Sequence, residues 1–162
     1  MATTRAKATD LIPALDSLAV SSHSAGALIE AVVALLHEKL TNYNWVGFYM
    51  LEKDGDSDVL VLGPFKGAKT PHTRIPLNQG ICGAAASTGQ TVVVDDVNSD
   101  PRYLSCSIET KSEIVVPVRV HGKVVGELDI DSHVAAAFGP DDRALCEHAA
   151  VVLGRFLERI PS

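Results

Sequence analysis

The chain has 162 residues, of which 46% are hydrophobic and 21% charged, the balance of a folded domain with a sizeable core. A formal charge of -6 argues against nucleic acid or an anionic membrane as partner, since both attract positive surface. Three cysteines are an odd number for a disulfide framework, and the N-terminal MATTRAKATDLIPAL has no apolar run of signal-peptide length, so a reducing, cytoplasmic setting is expected.

The first predicted helix runs from Leu11 to Val20, with Asp10 as its cap and Pro13 in its first turn. A second, from Ser24 to Thr41, repeats Leu28, Ile29, Val32, Val33, Leu36 and Leu40 at helical spacing. Strands Trp45–Leu51 and Val59–Leu62 then flank a turn at Asp54-Gly55-Asp56 and read as a hairpin. A short strand at Arg74-Ile75-Pro76 leads into a short helix, with Asn78 near its cap and Gly89 at its stop. Another strand covers Thr91 to Val94.

From Asn98 to Ser112 no periodicity is visible, which marks a functional loop in a compact domain. Strands Ile114–Val120 and Val124–Ile130 meet at a tight turn, His121-Gly122. The last helix starts at Pro140, takes Asp141 and Asp142 in its first turn, and shows an apolar face through Leu145, Ala149, Val152, Leu153, Phe156, Leu157 and Ile160. Helices at both ends of an antiparallel sheet give an α+β fold, and no repeat or linker divides residues 1–162, so a single domain is expected.

Cys146 lies on the apolar side of the last helix and reads as packing. Cys82, in the first turn of the short helix, suits two roles: a thiolate favoured by the helix start, or a packed residue among glycines. Cys106 stands in the irregular loop, where reactivity is the better reading. In Glu127-Leu-Asp-Ile-Asp131 the acids alternate, so Glu127, Asp129 and Asp131 share one strand face. A solvated or edge-protecting face is the ordinary meaning of such a row. Glu113, across the predicted hairpin, extends it towards a pocket with several carboxyl groups. No metal motif and no phosphate loop is present, so neither metal nor cofactor is expected, with His23, His37, His121 and His148 as ordinary residues.

Taken together, Asn44-Trp-Val-Gly-Phe-Tyr49, Leu62-Gly-Pro-Phe-Lys-Gly67, Arg74-Ile-Pro76, Gly80-Ile-Cys-Gly83, Ser112-Glu-Ile-Val-Val-Pro117 and Leu128-Asp-Ile-Asp-Ser132 resemble the free methionine-R-sulfoxide reductases, stand-alone GAF-domain enzymes. The resemblance runs from about residue 24 to residue 158. It implies a GAF-type antiparallel sheet and thiol-dependent reduction of free L-methionine-(R)-S-oxide, with Cys106 as the catalytic cysteine and Cys82 as a second cysteine for disulfide exchange. It also implies that Glu113, Asp129 and Asp131 hold the sulfoxide and the substrate amino group, that Trp45 and Tyr49 wall the methyl-sulfur end, that thioredoxin or a similar dithiol restores the enzyme, and that the protein is a homodimer. One position departs from the pattern: His72 stands where many members carry a resolving cysteine. The rival reading is a non-catalytic small-molecule sensor, against which an acidic pocket argues because it repels phosphates.

The acids have a chemical use in the first step of such a reaction. Two carboxylates about 4 Å apart repel by roughly 4 kcal/mol at an effective dielectric near 20. That raises one of them by on the order of 2–3 pKa units and keeps a proton available near neutral pH for a departing oxygen.

Overall fold

A computed structural model describes residues 7–104 and 108–160. Its strands are β1 (Trp45–Asp54), β2 (Ser57–Lys66), β3 (Arg74–Pro76), β4 (Val92–Val94), β5 (Ser112–Val120) and β6 (Lys123–Ser132). Its α-helices are α1 (Ile12–Ser21), α2 (Ala25–Lys39), α3 (Gly80–Thr88) and α4 (Pro140–Arg159). The strands form one sheet in the order β3-β2-β1-β6-β5-β4, every neighbouring pair antiparallel.

Local chemistry accounts for most element boundaries. The Ser24 hydroxyl accepts from Ala27 N at 3.1 Å and starts α2. Gly89, at φ 69°, ends α3 in the left-handed region. His121 (φ 50°) and Gly122 (φ 80°) supply the paired positive φ values of a tight hairpin turn between β5 and β6. Asp10 differs from expectation: it belongs to a 3-10 turn, Ala8–Leu11, and its carboxylate accepts from Lys7 N at 3.0 Å, so it caps that turn instead of α1.

Period-two alternation divides the sheet's side chains between two cores. Val46, Phe48, Ile114, Val116, Val118, Leu128 and Ile130 pack with Leu28, Val32 and Leu36 of α2 and with Leu145 and Leu153 of α4. On the opposite face Trp45, Tyr49, Leu60, Ile75 and Val115 pack with Ile81, Cys82 and Ala85 of α3. Among the described residues, no helix is long and apolar enough to cross a membrane.

The seat of α3 is tight. A Cβ added at Gly83 would lie 2.7 Å from Leu77 O and 3.1 Å from Pro76 O, both backbone atoms with little room to yield. Gly83→Ala therefore has to lift the helix that carries Cys82. Overpacking of this kind costs about 1–3 kcal/mol, which at roughly 2–4 °C per kcal/mol for a chain of this size lowers Tm by several degrees. Differential scanning calorimetry measures this, and an unchanged Tm would show slack beneath α3.

Candidate active site

The face under α3 is built in three rungs across β1, β6 and β5. Trp45 pairs with Asp131 and Asp131 with Glu113; Gly47 pairs with Asp129 and Asp129 with Val115; Tyr49 pairs with Glu127 and Glu127 with Pro117. Since residues two apart share a face, Glu127, Asp129, Asp131 and Glu113 form one continuous patch with Trp45 and Tyr49 along its edge. Glu127 is 0%, Asp129 3%, Asp131 4% and Glu113 5% exposed. The row is thus buried, which overturns the solvated-face reading: α3 covers it.

Cys82 reaches down from α3, and its Sγ donates to Asp129 Oδ2 at 3.4 Å. Cys82 Sγ and one carboxylate oxygen each of Glu113 and Asp129 all lie within 4.8 Å of one another. A metal ion would need these groups deprotonated, against the direction in which burial drives all of them. The aromatic edge is fixed by its own contacts. Trp45 Nε1 donates to Ala68 O at 3.0 Å, its ring stacks on Phe65 at 5.5 Å, and it stands 6.3 Å from the Tyr49 ring. The Tyr49 hydroxyl donates to His72 O at 2.7 Å, so His72 serves here through its backbone. Gly47 makes room for this edge, because a Cβ there would sit 2.5 Å from the Trp45 ring. A cavity of about 80 Å³ opens at the Asp131 end, lined also by Trp45, Lys69, Thr70, Thr110 and His133.

Protonation follows from this crowding. Burial, above all, pushes Glu113 well above the usual carboxylate range, and the charges of Asp129 and Asp131 and the hydrogen bonds it gives them push it further. Glu113 is therefore the neutral donor. Asp129 is raised by burial but held back by the hydrogen bonds it accepts from Glu113 and Cys82, and Asp131 is raised by burial and by the charge of Asp129. Burial raises Glu127 well above its usual range, with the Cys82 thiol acting the other way. Among the described residues no cation pairs with any of the four acids, Asp129 Oδ1 and Asp131 Oδ1 have no hydrogen-bond partner, and the Cys82 thiol is the one polar group that eases the burial of Glu127. These orphaned acceptors are satisfied by an occupant that donates hydrogen bonds.

Cys82 departs from one of its two expected roles. Burial first, then the charges of Asp129, Glu127 and Glu113, push its thiol well above the ordinary value, so the free protein holds a thiol and not a helix-start thiolate. Cys146 is fully buried and its thiol is pushed up to about 12, chiefly by burial, as packing requires. Cys106 lies outside the described residues. The chain leading to it does not: Leu104 packs against the start of α3, its Cδ1 2.9 Å from where a Cβ on Gly80 would stand. Glu127 completes the row although its place in the site was not predicted; the strict alternation Glu127-Leu-Asp-Ile-Asp131 carried that signal.

The raised acids make stability depend on pH with a definite sign. Between the unfolded carboxyl pKa near 4 and its higher folded value, Glu127 holds its proton only in the native state. Its contribution is complete below that window and is lost as pH rises through it. The Tm of Glu127→Gln relative to wild type should therefore shift in the variant's favour from about pH 4 to pH 8. A difference that stays constant across that range would contradict the buried, neutral Glu127.

The curled antiparallel sheet with a helix closing one face defines a GAF domain, and residues 24–157 match that family. The free methionine-R-sulfoxide reductase of Escherichia coli is 40% identical over 133 residues, 82% of this chain and 78% of its own. That of Neisseria meningitidis, solved in complex with its substrate, is similar with a TM-score of 0.86 and 34% identity, covering 98% of this chain and 95% of the other. The type II free methionine-R-sulfoxide reductase of Thermoplasma acidophilum gives a TM-score of 0.77 and 39% identity, over 88% and 94% of the two chains. The chain belongs to the free methionine-R-sulfoxide reductase family of GAF-domain proteins.

Proposed function

We propose that this chain reduces free L-methionine-(R)-S-oxide to methionine, with Cys106 as nucleophile and a cytoplasmic dithiol of the thioredoxin type as final reductant. The observation that carries this reading is the buried row of acids. It offers a neutral Glu113 as proton donor beside acceptors on Asp129 and Asp131 that lack partners among the described residues. A zwitterionic sulfoxide supplies what such a row lacks: an ammonium group for the acceptors and an oxygen for the donor. Trp45 and Tyr49 enclose the methyl-sulfur end and exclude water.

The Cys106 sulfur attacks the sulfoxide sulfur and forms an S–S bond, which breaks together with the S–O bond as the oxygen transfers to the cysteine sulfur. Oxygen passes to Cys106 as a sulfenic acid, which oxidises the cysteine by two electrons and releases methionine. Glu113 protonates the oxygen as charge builds on it. Cys82 then displaces that oxygen as water and closes a disulfide, which the external dithiol reduces. Packing of Leu104 on Gly80 supports this pairing, since each residue stands two positions before its cysteine.

Turnover assays test the proposal. With the R epimer of the free amino acid, methionine formed should equal dithiol consumed. No turnover with either thioredoxin and its reductase or dithiothreitol would overturn it.

A further inference from the structure

The cavity at the Asp131 end of the row carries donors as well as acids. Part of its wall is the connection between β2 and β3, through Ala68, Lys69 and Thr70. The aromatic edge of the site straps that connection down at two points. Trp45 Nε1 donates to Ala68 O at 3.0 Å, and the Tyr49 hydroxyl donates to His72 O at 2.7 Å. Gly67 lets the backbone run close against the indole: its φ is 126°, and a Cβ there would lie 2.7 Å from Trp45 Cδ1 and 2.8 Å from Asn44 O. Lys69 is thereby placed at the cavity by the same residues that wall the site.

Two basic residues line this cavity. His133 is engaged, with Nε2 3.6 Å from Glu109 Oε2. Lys69 makes no ion pair among the described residues, and its ammonium is uncommitted. Two hydroxyls line the cavity with it. Thr70 Oγ1 accepts from His72 N at 3.1 Å, which leaves its O–H to donate elsewhere. Thr110 is only 3% exposed, and its hydroxyl has no hydrogen-bond partner among the described residues.

We infer that Lys69, with the hydroxyls of Thr70 and Thr110, holds the carboxylate of the amino-acid substrate and makes the site selective for a free carboxylate. The inference deepens the function proposed above and rests on it. In an α-amino acid the ammonium and the carboxylate hang from one carbon. Once the ammonium group sits on Asp129 and Asp131, the carboxylate stays close to the same acids, which repel it. A cation and hydroxyl donors beside Asp131 offset that repulsion, and the remaining acid of the wall, Glu109, already faces His133. Donors at one side and acceptors at the other match a zwitterion, and an uncharged terminus would leave the Lys69 side of the cavity unused.

Steady-state kinetics on free methionine-R-sulfoxide and on its carboxamide test this in wild type, Lys69→Gln and Lys69→Arg. Lys69 is exposed, so neither substitution disturbs the core. Wild type should favour the free acid. Lys69→Gln should raise KM for the free acid by about tenfold, the size of one charge-assisted hydrogen bond, with kcat nearly unchanged. Its kcat/KM for the carboxamide should stay at the wild-type value, so the preference for the acid falls by the same about tenfold. Lys69→Arg, which keeps the charge, should recover most of the preference. An unchanged KM for the free acid in Lys69→Gln, an equal loss on acid and carboxamide, or a loss confined to kcat would overturn the inference. No turnover of the free R-sulfoxide by wild type would instead sink the reading on which it rests.

Discussion

Cys106→Ser is expected to lower methionine formation from the free R-sulfoxide by on the order of a thousandfold or more, with the fold unchanged. A serine hydroxyl is barely ionised near neutral pH, and an acidic row disfavours its alkoxide further. Nothing in the described residues offers a substitute nucleophile with access to the Asp131 cavity. Cys146 sits in the other core, with its Sγ 3.9 Å from the Tyr43 hydroxyl, and Cys82 is held as a thiol beneath α3. Cys146→Ser is the matching control and should remain active, destabilised by about 1–3 kcal/mol for a buried hydroxyl with incomplete hydrogen bonding. Amino-acid analysis of the methionine formed, with circular dichroism on each variant, checks both. Wild-type rates in Cys106→Ser would remove the nucleophile from the mechanism.

N-acetylation of the substrate should be nearly as damaging as loss of the nucleophile. An amide nitrogen carries no charge, so the acceptors on Asp129 and Asp131 that lack partners among the described residues would stay unpaired, and the acetyl group would have to be accommodated within the same closed face. A site built around a buried polar partner rejects an analogue lacking it by on the order of 10⁴-fold in kcat/KM. The same logic excludes methionine sulfoxide inside a peptide. Comparable kcat/KM for free and N-acetylated R-sulfoxide would show that the acids do not hold the ammonium group.

Much of this architecture is legible in local sequence. The spacing of Leu28, Val32 and Leu36 reads directly as α2, and His121-Gly122 reads as the β5–β6 turn that brings Glu113 opposite Asp131. The alternation of Glu127, Asp129 and Asp131 places them on one face. It does not say what lies over that face. Burial of the row depends on α3 docking through Gly83 against the Leu77 carbonyl, and on β1 joining β6 across about half of the chain's length, neither of which has a local signature.

Cys82 shows how a local rule loses to tertiary context. A helix start favours a thiolate by about 0.3–1 kcal/mol near the surface. Desolvating a charge costs several kcal/mol, and three carboxyl neighbours add repulsion, so the thiol form wins. The same desolvation raises the acids of the row, adding to the mutual repulsion expected of carboxyl groups gathered in one pocket. Glu127 escaped notice as a site residue because a strand face shows which residues are together, not which of them a helix will bury.

The most direct measurement is a single turnover of the fully reduced protein, without reductant, on each sulfoxide epimer, followed by mass spectrometry. With free R-sulfoxide we expect one methionine per chain, two fewer free thiols and a Cys82–Cys106 disulfide; with the S epimer we expect none of these. Release of no methionine from the R epimer with all three thiols intact would contradict the account.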